Sequence, residues 1–311
     1  MRLALMIEGQ EGVTWEHWCA LADACERHGI DTLFRSDHYI SQADETANVA
    51  HDAWTTIAGL AARTTTLRFG TLVSPATFRL PGLLANVVAT VSHISGGRVE
   101  LGLGAGWMER EHRAYGFPFP DTSTRVAMFA EQLEIVHRLW TEDRVTFRGV
   151  HYTLEDAPAQ PRPLTKPHIV VGGSGKRGTV EPALKFADEY NTPFVSPTEF
   201  ARIKARIPDL PVSTMTGLVV GTTRDDALDR ARTLYGRVQR DVDFDTWLAR
   251  YSERAIVGSV DEVAARLRAY EDAGCERVML QHLLHTDLEP VRLIGELAGA
   301  SRTSGARTAR R

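Results

Sequence analysis

Cysteine is scarce in this chain. Its 311 residues hold three, Cys19, Cys25 and Cys275, an odd number without metal-ligand spacing. That pattern excludes a disulfide framework and a cysteine-based metal site, and no bound metal is expected. With no charged-then-apolar leader before Leu3, it predicts a reduced, cytoplasmic protein. Long apolar runs are missing as well, so no segment reads as a membrane span. Nor is there an excess of positive charge. The net charge is −4 and the pI about 6.3, which gives no electrostatic basis for nucleic-acid binding, and the arginines from Arg302 to Arg311 make too short a basic stretch to change that. Low-complexity blocks and a Pro/Gly/Ser linker are absent too, so nothing divides the chain at its middle.

What the chain does have is a regular alternation of short apolar runs and amphipathic stretches. Runs at 2–7, 30–34, 67–73, 98–103, 168–171, 189–194, 212–220 and 277–281 read as strands, and the segments between them carry helical periodicity, such as Trp18, Leu21, Ala22 and Cys25 closed by Gly29. Ser259-Val260-Asp261-Glu262 reads as a capped helix start. Eight strands alternating with helices predict an α/β fold, a (β/α)8 TIM barrel spanning 1–298, in preference to a doubly wound sheet with a cap. One segment breaks the rhythm. After the fourth strand and its helix, residues 141–167 are rich in proline and interleave Phe147, Tyr152 and Leu154 with polar residues, which predicts an insertion, a small hairpin serving as a lid that excludes water. Residues 299–311 are expected to form a disordered tail.

In a barrel the chemistry sits at the carboxyl ends of the strands. The fourth strand ends in Gly102, Gly104 and Gly106, where missing side chains admit either a flat or phosphate-bearing ligand or a closely packed neighbour. The fifth runs into Gly172-Gly173-Ser174-Gly175-Lys176-Arg177 and then a helix, so free N–H groups, the positive helix end and two cations converge on an anion site. This turn lacks the Lys-Ser/Thr ending of a P-loop and the third glycine of a dinucleotide fingerprint. At the second strand end, Asp37-His38 offers either an acid/base pair, with Asp37 orienting the imidazole, or an ordinary loop cap.

Five motifs occur in a fixed order: Phe34-Arg35-Ser36-Asp37-His38, Gly70-Thr71-Leu72-Val73 with Thr77-Phe78-Arg79, Ser95-Gly96-Gly97-Arg98 through Gly104-Ala105-Gly106-Trp107, Val171-Gly172-Gly173-Ser174-Gly175, and Ala187-Asp188-Glu189-Tyr190-Asn191. In these the chain resembles the luciferase-like oxidoreductases, especially members dependent on the deazaflavin coenzyme F420. The resemblance implies a deazaflavin in the barrel mouth, near Asp37, Thr71, Leu72, Val73, Gly104, Ala105, Gly106, Trp107 and Asn191, with its phosphate at Gly172, Gly173, Ser174, Gly175 and Lys176. It implies His38 as acid/base with Asp37 as its orienter, and a non-prolyl cis bond at Leu72-Val73. Hydride transfer between F420 and a small organic substrate follows as the expected activity. One alternative is an FMN-dependent monooxygenase fed reduced FMN by a separate reductase; another is a flavin-binding protein without turnover. Relatives acting on sugar phosphates carry a carboxylate after their Gly-x-Gly, where this chain has Trp107. That departure points to a flatter or more apolar substrate, with Trp107, Tyr39, His112 and Tyr115 as pocket walls. A homodimer is expected, through helical faces carrying Trp54, Leu60 and Val87.

Overall fold

The computed structural model describes residues 1–41, 50–237 and 241–308, with side chains up to residue 299. In chain order the elements are β1 (Arg2–Ile7), α1 (Trp15–His28), β2 (Thr32–Arg35), α2 (Ala53–Arg63), β3 (Arg68–Thr71), β4 (Ser74–Pro75), α3 (Pro81–Ser95), β5 (Val99–Gly104), α4 (Glu109–Tyr115) and α5 (Thr122–Thr141). A hairpin, β6 (Arg144–Arg148) and β7 (Thr153–Pro158), comes next, then β8 (His168–Gly172), α6 (Arg177–Phe186), β9 (Glu189–Pro193), α7 (Pro197–Lys204), β10 (Val212–Gly221) and α8 (Arg224–Tyr235). The chain closes with α9 (Phe244–Ser252), β11 (Ala255–Ser259), α10 (Val260–Asp272), β12 (Arg277–Gln281) and α11 (Glu289–Thr308).

Eight parallel strands, β1, β2, β3, β5, β8, β9, β10 and β12, pair in that cyclic order, with β10 joined to β9 on one side and β12 on the other, and β1 closing on β12. This is the expected (β/α)8 barrel, with every strand where the apolar runs place it. A further strand, β11, lies against the outgoing half of β10, pairing Gly217 with Ala255 and Gly221 with Ser259. Local signals behave as read. Gly29 closes α1 in the left-handed conformation, and Ser259 and Glu262 cap α10 reciprocally.

Because side chains alternate along a strand, one set of each strand fills the lumen and the other packs against the helices. Low in the lumen, Arg277 is paired with Glu100 and Glu189 at 2.8 Å each, all three at most 2% exposed, and its guanidinium lies over the Phe34 ring. Above this charged layer Ala4, Met6, Phe34, Val170, Met215, Met279 and Leu72 form an apolar plug. The larger core, between strands and helices, takes Trp18, Leu21, Trp54, Ile57, Leu60, Phe129 and Trp140 among others.

Three expectations need correction. The hairpin is present, but it is not a lid. It follows the carboxyl end of α5 and precedes the start of β8, so it leaves from the face opposite the strand ends and lies along the helices: Glu131 of α5 accepts hydrogen bonds from the N–H groups of Val150, His151 and Tyr152, Val145 is buried in the core between strands and helices, and Asp143 pairs with Arg162. Trp54 and Leu60, expected at a dimer contact, are 2% and 1% exposed inside one chain, with the Trp54 indole N–H donating to Ser74. Helix α11 runs on to Thr308 through residues expected to be disordered; residues 309–311 lie outside the described residues. No described helix is long and apolar enough to cross a membrane.

Candidate active site at the barrel mouth

The strand ends bring Glu8, Asp37, His38, Leu72, Val73, Gly104, Gly172 and Gln281 to one rim. Asp37 and His38 share no hydrogen bond. The buried Asp37 carboxylate accepts from the Ser74 hydroxyl at 2.6 Å and from Arg79 at 2.5 Å, and Arg79 in turn reaches Asp52 at 2.8 Å. Adjacent residues of an extended segment point opposite ways, so Asp37 turns into the wall while His38 faces the mouth. The partner of His38 is Glu111, whose Oε2 accepts from Nδ1 at 2.8 Å. Glu111 is fully buried and also accepts from the backbone N–H groups of Tyr39 and Ile40.

Burial disfavours the imidazolium, but the Glu111 hydrogen bond and the negative charges of Glu111, Glu8 and Asp37 outweigh it, so His38 keeps its proton above the usual imidazole range. His112 is the opposite case. Its Nδ1 donates to the Met108 carbonyl at 2.7 Å, so Nε2 accepts from Thr77 Oγ1 at 2.6 Å. With both nitrogens engaged, burial holds it below the usual range, neutral and structural.

Leu72-Val73 is a cis peptide bond, as the resemblance implies. The glycines around it answer the question their spacing left open. A Cβ on Gly102 would stand 1.9 Å from the Thr71 carbonyl oxygen, one on Gly104 2.7 Å from Val73 Cγ2, and one on Gly172 2.9 Å from Val73 Cγ1. These glycines are bare so that the Thr71–Val73 segment can seat between strands; Val73, not exposed backbone, occupies that side of the lumen. Gly106, at φ 81°, does need glycine for the turn into α4. The Thr71 hydroxyl is spent on the Gly102 carbonyl at 2.9 Å. Asn191 faces the lumen, where its amide donates to Ser213 Oγ at 2.9 Å.

At the fifth barrel strand the turn is as expected. Tyr190 braces it through Gly175 N–H and Thr179, Gly175 takes φ 72°, and α6 begins at Arg177 with no side chain capping it. Lys176 has no carboxylate within ion-pair distance among the described residues, whereas Arg177 is paired with Glu181. Exposed Ser174 and Lys176 thus sit beside uncapped helix N–H groups, a donor set that fits a phosphate. No group of three His, Cys, Asp or Glu side chains among the described residues is arranged to hold a metal.

Aromatic residues wall the β2 and β5 side. Trp107 is 61% exposed and meets the His38 ring edge-on at 5.7 Å, while Tyr39 contacts Tyr115 and Phe78, and Phe78 stacks on Phe117 at 4.6 Å. Of the expected pocket walls, Trp107, Tyr39 and Tyr115 lie in this cluster; buried His112 supports it from behind Phe78 and Phe119. Glu111 escaped the sequence reading because α4 is seven residues between glycines and rich in charge, with too little apolar periodicity to announce a helix.

A closed parallel barrel with a braced glycine-rich turn and a buried His38–Glu111 pair at its mouth belongs to the α/β barrels, and comparison with known proteins narrows the class. Residues 3–277 match the family described as luciferase-like monooxygenase, and the chain belongs to that family. Among curated relatives it is 35% identical over 161 residues to an F420-dependent glucose-6-phosphate dehydrogenase of Nakamurella multipartita, covering 51% of this chain and 47% of that one. An FMNH(2)-dependent dimethylsulfone monooxygenase of Pseudomonas putida is 29% identical over 192 residues, 61% of this chain and 51% of that one. These alignments thus span about half the length of the relatives. A solved F420-dependent secondary alcohol dehydrogenase, in complex with an F420-acetone adduct, superposes with a TM-score of 0.78 at 18% identity, covering 96% and 98% of the two chains, which establishes the shared fold.

Proposed function

We propose that the protein is an oxidoreductase that moves a hydride between F420 and a small organic substrate, with His38 managing the proton. The observation that carries this reading is the His38–Glu111 pair: a buried carboxylate fixes Nδ1 and favours the protonated ring, leaving Nε2, which has no partner among the described residues, to meet a reacting oxygen at the mouth. The deazaflavin, when bound, supplies the hydride chemistry. The protein's part is to hold it and handle the proton. Leu72 and Val73 offer an apolar surface for the flat ring, and Ser174, Lys176 and the α6 N-terminus suit its phosphate. The F420-dependent relatives support the choice of cofactor. Their sugar phosphate is not carried over, because exposed Trp107 follows Gly106 and favours a substrate with an apolar face. We include a homodimer in this reading, supported by Leu80 and Leu83 exposed at the start of α3.

A second reading, reduced FMN and O2 with a separate reductase, draws on the dimethylsulfone monooxygenase, whose alignment covers more of this chain. The same anion turn serves either cofactor. Tryptophan fluorescence titrations with F420 and with oxidised and reduced FMN separate the two. Preferential binding of F420, weakened about tenfold or more in Lys176→Ala through loss of a charge-assisted contact, is the expected result. Preference for reduced FMN transfers the assignment to the monooxygenase, and binding of neither refutes both.

A further inference from the structure

A negative charge at the mouth has no cation beside it among the described residues. Ala4 and Met6 of β1 face the lumen in the apolar plug, so the next lumen-facing position, just past the carboxyl end of the strand, is Glu8. Two amides hold its carboxylate there. Gln281, which follows lumen-facing Met279 by two positions on β12, donates to Oε1 at 2.6 Å, and Gln10 donates to Oε2 at 2.9 Å. His38 is met by Glu111 and Asp37 by Arg79, whereas no Lys, Arg or His of the described residues lies within ion-pair distance of Glu8. The carboxylate is also reachable. Glu8 is partly exposed, and of the roughly four acceptor positions on a carboxylate the amides fill two. Solvent likewise reaches Val73, Gly172 and Pro193 on the other side of the lumen, so the mouth is open between them and Glu8.

We infer that Glu8 determines substrate specificity: its carboxylate accepts a hydrogen bond from the hydroxyl of a small neutral organic molecule and turns away molecules that carry a carboxylate or phosphate at that place. The inference rests on the mouth being the active site proposed above. The Ser36 N–H donates to the Ile7 carbonyl at 3.1 Å, so the ends of β1 and β2 run side by side, with Glu8 level with Ser36 and His38 two positions further on. Burial works against the His38 proton, and Glu8 follows Glu111 among the negative charges that hold it, so the two side chains feel each other across the mouth. Between them they offer a donor, His38 Nε2, and an acceptor. A hydroxyl has an oxygen for the first and a proton for the second. A carbonyl has the oxygen alone and turns lone pairs toward the Glu8 charge. An anionic group fares worst, because the His38 charge is already met by Glu111 and the repulsion from Glu8 remains.

Glu8→Gln and Glu8→Asp test this with cyclohexanol, cyclohexanone and cyclohexanecarboxylate as probes near neutral pH. Binding is read by tryptophan fluorescence, Trp107 lying against His38, in protein with and without saturating F420. Wild type should bind cyclohexanol about threefold or more tighter than cyclohexanone and about tenfold or more tighter than cyclohexanecarboxylate. Glu8→Gln has the same shape and still accepts from Gln281; in it the alcohol should bind about three- to tenfold more weakly and the carboxylate about threefold or more tighter. Glu8→Asp keeps the charge one methylene further back, so it should weaken the alcohol likewise yet go on rejecting the carboxylate, which separates the hydrogen bond from the charge. Equal probe ratios in wild type and Glu8→Gln, a wild type that prefers the carboxylate, or one that binds none of the probes would each overturn the inference. Should Glu8→Gln fail to fold, Glu8→Asp decides, and undiminished cyclohexanol affinity in it refutes the contact. Failure of wild type to bind F420 is read separately: it removes the deazaflavin assignment, and the probe comparison in cofactor-free protein still decides on Glu8.

Discussion

Replacing Glu111 by alanine takes away three hydrogen bonds at once, those from His38 Nδ1 and from the N–H groups of Tyr39 and Ile40, at a site with no exposure to water. Each orphaned buried donor costs about 1–3 kcal/mol, and breaking a buried ionic pair by removing one partner typically costs about 3–5 kcal/mol. We take about 4 kcal/mol for the whole. At about 2.1 cal/mol/K per residue, unfolding this chain carries an entropy of roughly 0.65 kcal/mol/K, so the melting temperature should fall by about 6 K. Glu111→Gln keeps one acceptor oxygen and should lose about 1–2 kcal/mol. The pH dependence has a sign that packing alone lacks. His38 has its pKa raised in the folded protein, so the stability contributed by the pair is fully present below the ordinary imidazole pKa and fades as pH rises through the folded value. Without the carboxylate, burial dominates and charging the ring becomes unfavourable, so the variant should weaken on acidification instead. Urea unfolding of wild type and Glu111→Gln between about pH 5.5 and 8.5 should show a gap widest at the acidic end. A gap independent of pH would refute the ionic account of the pair, and a loss under about 1 kcal/mol in Glu111→Ala would refute its structural weight.

Arg277→Met leaves Glu100 and Glu189 facing each other in the lumen and should cost at least about 3–5 kcal/mol, measured by denaturant unfolding. Burial works against the Glu189 carboxylate, but His168 and Arg277 hold it below the ordinary range; this stabilisation is present above that range and is lost as pH falls through the folded value. In the variant acid should therefore narrow the deficit, and adding Glu100→Gln and Glu189→Gln should recover much of it. Glu131→Gln loosens the β6–β7 tip and should lower stability by about 1 kcal/mol while F420 affinity stays within twofold. A tenfold loss of affinity would return the hairpin to the mouth.

The barrel was legible because its strands are uniform apolar runs, buried on both faces, set between Gly, Pro and capping residues. The strand β11 was not: Ala255–Ser259 is a short run directly ahead of a capped helix, and its pairing depends on β10 outrunning the barrel, a tertiary fact. At the candidate site, the motif drew attention to His38, and the structure gives that residue a different partner from the expected one. Adjacency in sequence suggested Asp37, whereas an extended backbone separates neighbouring side chains and a helix 73 residues further on supplies the carboxylate. The glycine triplet was seen correctly and explained only by the structure, since periodicity cannot say whether a bare backbone faces a ligand or Val73. The hairpin's position was readable in principle: a segment between a helix and the next strand belongs to the face away from the chemistry.

Closure of the barrel through β1 and β12 has a consequence in time. Arg2 pairs with Arg277, so β1 is held on one side by β2 and on the other by nothing until β12 has been made. At about 5–20 residues per second that interval is roughly a quarter of a minute to a minute. During it the β1 edge stands open beside a lumen whose Arg277 has not yet been made, with Glu100 and Glu189 awaiting their cation. Strand β12 thus brings in a single stroke the sheet's missing neighbour and the charge its interior lacks, and its synthesis, rather than that of any earlier helix or strand, sets when the barrel can close.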